Sequence, residues 1–141
     1  TLAGGETTAF SASTDSGQSV ASNPDVVYED LNFDTHGAYN ASTGVYTAPS
    51  SGKFRFSASA LLIATVATNA SFTIQLLKEG SIVGQISTAG TNNSNQQLHP
   101  FISQVLDLNK GEEVKIKVNS PVSGNLNTSA INNVFSGHKI N

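Results

Sequence analysis

The 141-residue sequence contains no cysteine. A disulfide framework, thiol chemistry and His-Cys metal spacing are thereby excluded. Charge is scarce as well: 12% of the residues are Asp, Glu, Lys or Arg, against about 25% in an ordinary globular chain. Seven Lys and Arg stand against ten Asp and Glu, for a net charge of −3. That balance offers no basic footprint for a nucleic-acid backbone. No apolar run approaches the roughly 20 residues of a membrane-spanning helix, so no membrane insertion is expected, and no signal-peptide pattern is present. The length is that of one domain, enough to bury about two-thirds of the unfolded surface.

What is present is a period of two. Strands are predicted over residues 8–13, 26–28, 44–48, 53–66, 70–78, 82–88, 98–108, 113–119 and 133–140, and no helix. Turn signals separate them, among them Pro49-Ser50-Ser51-Gly52, Lys78-Glu79-Gly80-Ser81 and Asn109-Lys110-Gly111. Many short strands joined by Gly- and Asn-rich turns read as an all-β sandwich or jelly roll.

The strands differ in a useful way. Residues 113–119 alternate cleanly, with Val114, Ile116 and Val118 inward and Glu113, Lys115 and Lys117 on a wet face. Residues 58–66 and 98–108 instead carry apolar side chains on both parities: Leu61, Leu62 and Ile63 in the first, and Phe101, Ile102, Val105, Leu106 and Leu108 in the second. A second apolar face must be buried against something. Leu61, Ile63, Phe101, Ile102 and Leu106 are therefore the candidates for a self-association interface.

Catalytic signals are missing. Asp34-Thr35-His36 reads as a turn, no Gly-x-Ser-x-Gly nucleophile elbow occurs, and the acidic residues are scattered with no tuned carboxylate pair. No catalytic residue, metal ligand or cofactor is assigned, and the protein is not expected to be an enzyme. Two polar loops are the candidates for recognition. In residues 89–97 these are Asn92, Asn93, Asn95 and Gln96, whose amides offer paired donors and acceptors at low charge, suited to sugar hydroxyls. In the Gly- and Asn-containing segment 120–128 they are Ser123, Asn125 and Asn127, since long loops on a rigid sandwich often carry binding.

The densest pattern lies between residues 28 and 56: Tyr28, five residues, Asp34, four, Tyr39, six, Tyr46, five, Gly52, one, Phe54, one, Phe56. It resembles the signature of the C1q domain at every interval, with one aromatic exchanged for another at Tyr28, Tyr46 and Phe54. Residues 108–114, Leu-Asn-Lys-Gly-Glu-Glu-Val, resemble that family's entry into a late strand. Residues 133–140, Asn-Val-Phe-Ser-Gly-His-Lys-Ile, resemble its closing strand, departing at His138-Lys139. The resemblance implies a jelly-roll sandwich of about ten antiparallel strands assembled as a homotrimer around the sheet that holds residues 58–66 and 98–108. It places Tyr39, Tyr46, Gly52, Phe54, Phe56, Phe135 and Gly137 in the structural core.

It further implies a non-enzymatic recognition head binding a cell-surface glycan or protein receptor, in an extracellular, cell-surface or virion-surface setting. Several relatives bind calcium through acidic residues in the loop matching 89–97. That loop has no Asp or Glu here, so the site does not carry over. The cysteine-free composition favours the terminal domain of a bacterial or phage surface fibre. The alternatives are a purely structural trimerisation domain and a secreted eukaryotic ligand or innate immune lectin. The opening Thr1-Leu2-Ala3-Gly4-Gly5, without an initiator Met, is expected to belong to a connector over residues 1–8, with 9–141 as the C-terminal head of a longer protein.

Overall fold

The computed structural model describes residues 7–21, 24–66, 70–90, 93–120 and 122–141, and among these the side chains of 65, 66 and 93–95 are left out. Twelve strands and one 3-10 turn form among the described residues. The strands are β1 (Ala9–Ser13), β2 (Asp30–Asp34), β3 (Tyr39–Asn40), β4 (Val45–Thr47), β5 (Gly52–Ser59), β6 (Leu62–Val66), β7 (Ser71–Lys78), β8 (Ser81–Ala89), β9 (Asn93–Leu98), β10 (Phe101–Leu108), β11 (Glu113–Asn119) and β12 (Val134–Lys139), and the turn is Ala130–Asn132. Two five-stranded antiparallel sheets face each other, in the orders β10-β5-β12-β1-β2 and β3-β4-β11-β7-β8, with β6 and β9 as a separate pair.

Alternation decides what lies between the sheets. Phe54, Phe56 and Ala58 of β5 point inward, opposed by Val114, Ile116 and Val118 of β11 and by Phe72, Ile74 and Leu76 of β7. The aromatic signature supplies the centre of this core. The Phe10 ring stacks on Tyr46 at 4.6 Å and meets Phe135 edge-on at 5.0 Å, while Tyr46 meets Phe56 edge-on at 5.4 Å. Such geometries add to the area each ring removes from water.

The polar ends of these rings are satisfied. Tyr39 Oη donates to the Tyr28 carbonyl (2.9 Å) and accepts the Tyr28 N–H (3.1 Å), and Tyr28 Oη donates to the Ser59 carbonyl (3.1 Å). Burial pushes all three hydroxyls, Tyr28, Tyr39 and Tyr46, well above the usual tyrosine range, so they stay neutral and can donate. Asp34 closes the β2–β3 turn by accepting the Tyr39 N–H on Oδ2 at 2.7 Å.

Two glycines are required by close approach. Gly52 has φ +151°, and a Cβ there would lie 2.2 Å from the Asn141 carbonyl oxygen. A Cβ on Gly137 would come within 2.8 Å of both the Phe10 and Phe56 rings, so the aromatic cluster packs directly on bare backbone.

Several sequence expectations are corrected. The strand expected over 53–66 breaks at Ala60-Leu61, because the Leu61 N–H bonds Asn133 Oδ1 (2.8 Å) and the Leu61 carbonyl accepts the Asn127 N–H (2.8 Å). The chain thereby leaves the first sheet, and β6 pairs with β9 instead. Residues 98–108 likewise divide at His99-Pro100, where proline has no N–H to give a ladder. Residues 26–28 form no named strand: the segment is held to β11 by the isolated bridge Asp25↔Lys117, with the Val26 N–H bonding the Ile116 carbonyl and the Val118 N–H the Pro24 carbonyl. Strand β2, unanticipated, is an edge strand exposed along most of its length, and such a strand leaves a weak apolar pattern. On the solvated face of β11, Lys115 and Lys117 both reach the partly exposed Asp25, at 3.1 and 4.0 Å.

Candidate functional site

Strand directions define two ends of the sandwich. Strand β5 runs from Gly52, beside the C-terminal Asn141, to Ser59 at the far end. The far end gathers residues 14–20 of the β1–β2 connection, residues 122–129, the Ala130–Asn132 turn and His99.

The recognition candidates fall here, with changed roles. Asn92 lies outside the described residues, as do the side chains of Asn93 and Asn95. Asn93, Asn95 and Gln96 are not in a loop: they belong to β9, where Gln96 is half-buried opposite Ala64 of β6. A run of Asn, Ser and Gln carries no strand signal of its own, and its pairing comes from β6. Asn125 donates to the Gly17 carbonyl at 2.6 Å, and Asn127 Oδ1 accepts the Ser129 N–H (2.8 Å) and the Asn132 amide (3.1 Å). Both amides therefore build the loop. Ser123 is exposed.

Two residues at this end escaped the sequence reading. Asn133 is fully buried. It donates to the carbonyls of Asn127 (2.8 Å) and Ser129 (3.2 Å) while accepting the Leu61 N–H. Ile131, at 85% exposure, projects from the 3-10 turn, and the neighbouring Asn132 carbonyl is 2.8 Å from His99 Nε2. An apolar knob inside an Asn- and Ser-rich run has no periodic signature to reveal it.

The acidic residues are not all scattered. Asp15, Glu29 and Asp30 bring carboxylate oxygens within 4.8 Å of one another at the same end. Partial burial raises Glu29, but hydrogen bonds from Thr14, Ser16 and Gln18 outweigh it and hold the group below its usual value. Lost hydration, followed by the charges of Asp15 and Glu29, holds Asp30 above its usual value. An acid raised in the folded state is penalised while ionised, and the penalty disappears once both folded and unfolded states are protonated. Asp30→Asn is accordingly expected to melt higher than the parent at pH 7. The gap should close below about pH 3 and shrink in high salt. Thermal melts at the two pH values check it, and an equal gap at both would show that the ionised Asp30 carboxylate is not the cause.

The self-association candidates divide. Leu61, Ile102 and Leu106, expected at an interface, are instead buried inside the protomer, at 4%, 4% and 7% exposure. Leu61 turns inward where the chain leaves the sheet, and the even-numbered positions of β10 face the core. Ile63 and Phe101 remain exposed, joined by Val105 on the outer parity of β10. Gln104 donates to the Val83 carbonyl at 2.9 Å, which sets the edge strands β10 and β8 side by side. The exposed apolar residues of these two strands are Phe101 (59% exposed) and Val105 on β10 and Ile82 (53%), Val83 and Ile86 on β8. At the opposite edge of the first sheet, β2 exposes Leu31 and Phe33.

Between these edges the outer face is small and polar. The register aligns Ser103, Ser57, Ser136 and Ser11 in one row across four strands, with Val105, Arg55, His138 and Ala9 in the next. The three histidines are dispersed, with His36 before β3, His99 at the far end and His138 on this outer face.

Two facing antiparallel sheets in these strand orders make an all-β jelly roll of the C1q/TNF type. The model of the C1q domain family matches residues 9–140, and the chain belongs to that family. Among solved structures it is similar to the globular domain of zebrafish complement 1qA protein, at 22% identity and TM-score 0.72 over 94% of this chain and 97% of that one. Eiger TNF from S. frugiperda aligns at 12% identity and TM-score 0.78, over 96% and 93%, and murine APRIL at 11% and 0.72, over 96% and 100%. At these identities the likeness is one of fold. None of the curated proteins matches the sequence.

Proposed function

We propose that this domain is a non-enzymatic, homotrimeric recognition head that presents its far end to a cell-surface glycan or protein receptor. C1q and TNF-type domains are commonly trimeric ligand-binding modules. The observation that carries the reading is the pair of exposed apolar edges. One lies on β10 and on β8, the adjoining edge strand of the second sheet, the other on β2, and β10 and β2 are the opposite borders of the first sheet. Two different patches on opposite sides of a protomer suit a heterologous contact that closes into a ring. The edge residues Phe101, Val105, Ile82, Ile86, Leu31 and Phe33 form the interface, Ile63 lies on β6 outside these two edges, and the serine row faces the axis.

A ring of three points three copies of Ser123, Asn125 and Ile131 in one direction, so that weak single contacts are multiplied by about 10² to 10⁴. The expectation of a bacterial or phage fibre rests on composition. The similar structures named above come from zebrafish, S. frugiperda and mouse.

Light scattering on the intact domain is expected to give three chains, unchanged by EDTA. Phe101→Asp and Ile86→Asp, which place a charge in an apolar contact, should shift the mass to one chain while the circular dichroism stays that of a β protein. A monomeric parent domain would overturn the trimer. A second reading, a structural trimerisation domain, is favoured by the engagement of Asn125 and Asn127 inside their own loop. Glycan-array and host-cell binding separate the two: Ile131→Asp, with the trimer intact, abolishes attachment for a recognition head and leaves it untouched for a structural one.

A further inference from the structure

The end of the sandwich opposite the far-end loops holds a surface depression of about 690 Å³, formed where the β2–β3 turn, the β3–β4 turn, Ala48-Pro49 and the Lys110-Gly111 turn converge. Its size falls within the range of small-ligand sites, about 300–1,000 Å³. Its lining is chemically one-sided. The basic side chains His36 and Lys110 belong to it and no carboxylate lines it, although the chain as a whole is acidic at −3. Ala41 and Pro49 contribute apolar surface, and Asn40 and Thr47 add polar groups.

The lining groups are available. Lys53, Lys78, Lys115 and Lys117 each reach a carboxylate. Among the described residues no such ion pair forms at Lys110, and its backbone N–H is tied to Ser51 Oγ at 3.0 Å, fixing the turn. His36 Nδ1 lies 3.1 Å from Thr35 Oγ1, which leaves Nε2 for a ligand. Asn40 uses Oδ1 to accept the Ser42 N–H at 2.9 Å, which leaves its amide N–H groups as donors. Two carboxylates stand behind this lining: Asp34 Oδ2 accepts the N–H of the lining residue Tyr39 while its buried Oδ1 has no hydrogen-bond partner, and Glu112 Oε1 accepts the Asn109 N–H at 2.7 Å and lies 3.6 Å from Lys78, which offsets its charge.

We propose that this depression is a second, independent binding site for a carboxylate-bearing sugar of the uronate class, with His36 and Lys110 on the carboxylate, Asn40 and Thr47 on ring hydroxyls, and Pro49 and Ala41 against the sugar's apolar face. The charge selects the anion, and the mixed apolar and polar lining selects a compact polyhydroxylated carrier over a bare inorganic ion. The site depends on neither the trimer nor the far-end loops.

The test is amide NMR titration of the intact domain with methyl glucuronide, methyl glucoside and inorganic sulfate. Methyl glucuronide should shift the Gly37, Asn40, Lys110 and Gly111 amides, bind at least about tenfold more tightly than the neutral glucoside, and weaken as salt rises. Lys110→Gln and His36→Ala should each reduce that affinity several-fold while leaving the far-end amides in place. Equal binding of glucuronide and glucoside would overturn the role of the charge, and equal binding of sulfate would overturn the sugar. No shift at these four amides, or shifts confined to residues 123–132, would overturn the site. A glucuronate-terminated oligosaccharide run in parallel distinguishes a glycan end, which binds at least as well as the monosaccharide, from a free uronate, which binds alone; a chain end that is rejected restricts the proposal to the free sugar acid.

Discussion

Phe135→Ala is expected to lower the unfolding free energy by about 3–5 kcal/mol. Phe135 is fully buried on β12 and contacts four other rings: Phe10 at 5.0 Å, Tyr28 at 5.6 Å, Tyr39 at 5.9 Å and Phe56 at 6.1 Å. Removing it leaves a void among stiff rings that have little freedom to collapse, because Tyr28 and Tyr39 are tied to backbone by their hydroxyls. Gly137, two residues on, gives no side chain to fill the space. With a typical domain stable by about 5–15 kcal/mol, the loss would consume much of the total. Urea denaturation at matched protein concentration measures it, with Phe135→Leu retaining most of the stability. A loss under about 1 kcal/mol would mean that the ring cluster is not the centre of the core.

Asn133→Ala is expected to cost about 3 kcal/mol, with its effect concentrated at the far end. The side chain is fully buried and makes three hydrogen bonds to backbone, and each buried partner left unsatisfied costs about 1–3 kcal/mol. Those partners are the Leu61 N–H, where the chain leaves the first sheet, and two carbonyls of the segment that carries Ile131. Hydrogen exchange should therefore show the Leu61 amide and residues 126–132 losing protection first, with β7 and β11 little changed. Uniform loss of protection would contradict a local role. If far-end recognition is correct, receptor binding falls with this variant even under conditions where it stays folded.

The interior was legible in the sequence because strand geometry repeats every two residues. Residues 113–119 show it most directly: Val114, Ile116 and Val118 are inward and fully buried. Phe54 and Phe56 share a face by the same rule, and the spacing from Tyr28 to Phe56 marks where the rings meet. The exterior was far less legible. Apolar residues on both parities of 58–66 and 98–108 looked like a second buried face, yet Leu61 points inward because the strand ends there. Three of the five apolar residues of β10, Ile102, Leu106 and Leu108, belong to the protomer's own core. The runs were continuous in composition, and the breaks come from Asn133, more than seventy positions away from Leu61, and from a proline.

The same division explains the sites. Asn125, Asn127 and Asn133 are one residue type within nine positions, and nothing local distinguishes a loop-building amide from one free to meet a ligand. Asn127 closes a local turn onto Ser129, but Asn125 and Asn133 are set apart only by their distant partners at Gly17 and Leu61. Asp15 is far in sequence from Glu29 and Asp30, and His36 from Lys110. Each group forms because separate turns are delivered to the same end of a sandwich. By itself the sequence determined the all-β class, the aromatic core and the family, since these follow from side-chain period and spacing, which are local quantities. Strand breaks, edge exposure and the gathering of charged groups at either end were decided by the tertiary structure, because each depends on which distant backbone takes a given hydrogen bond.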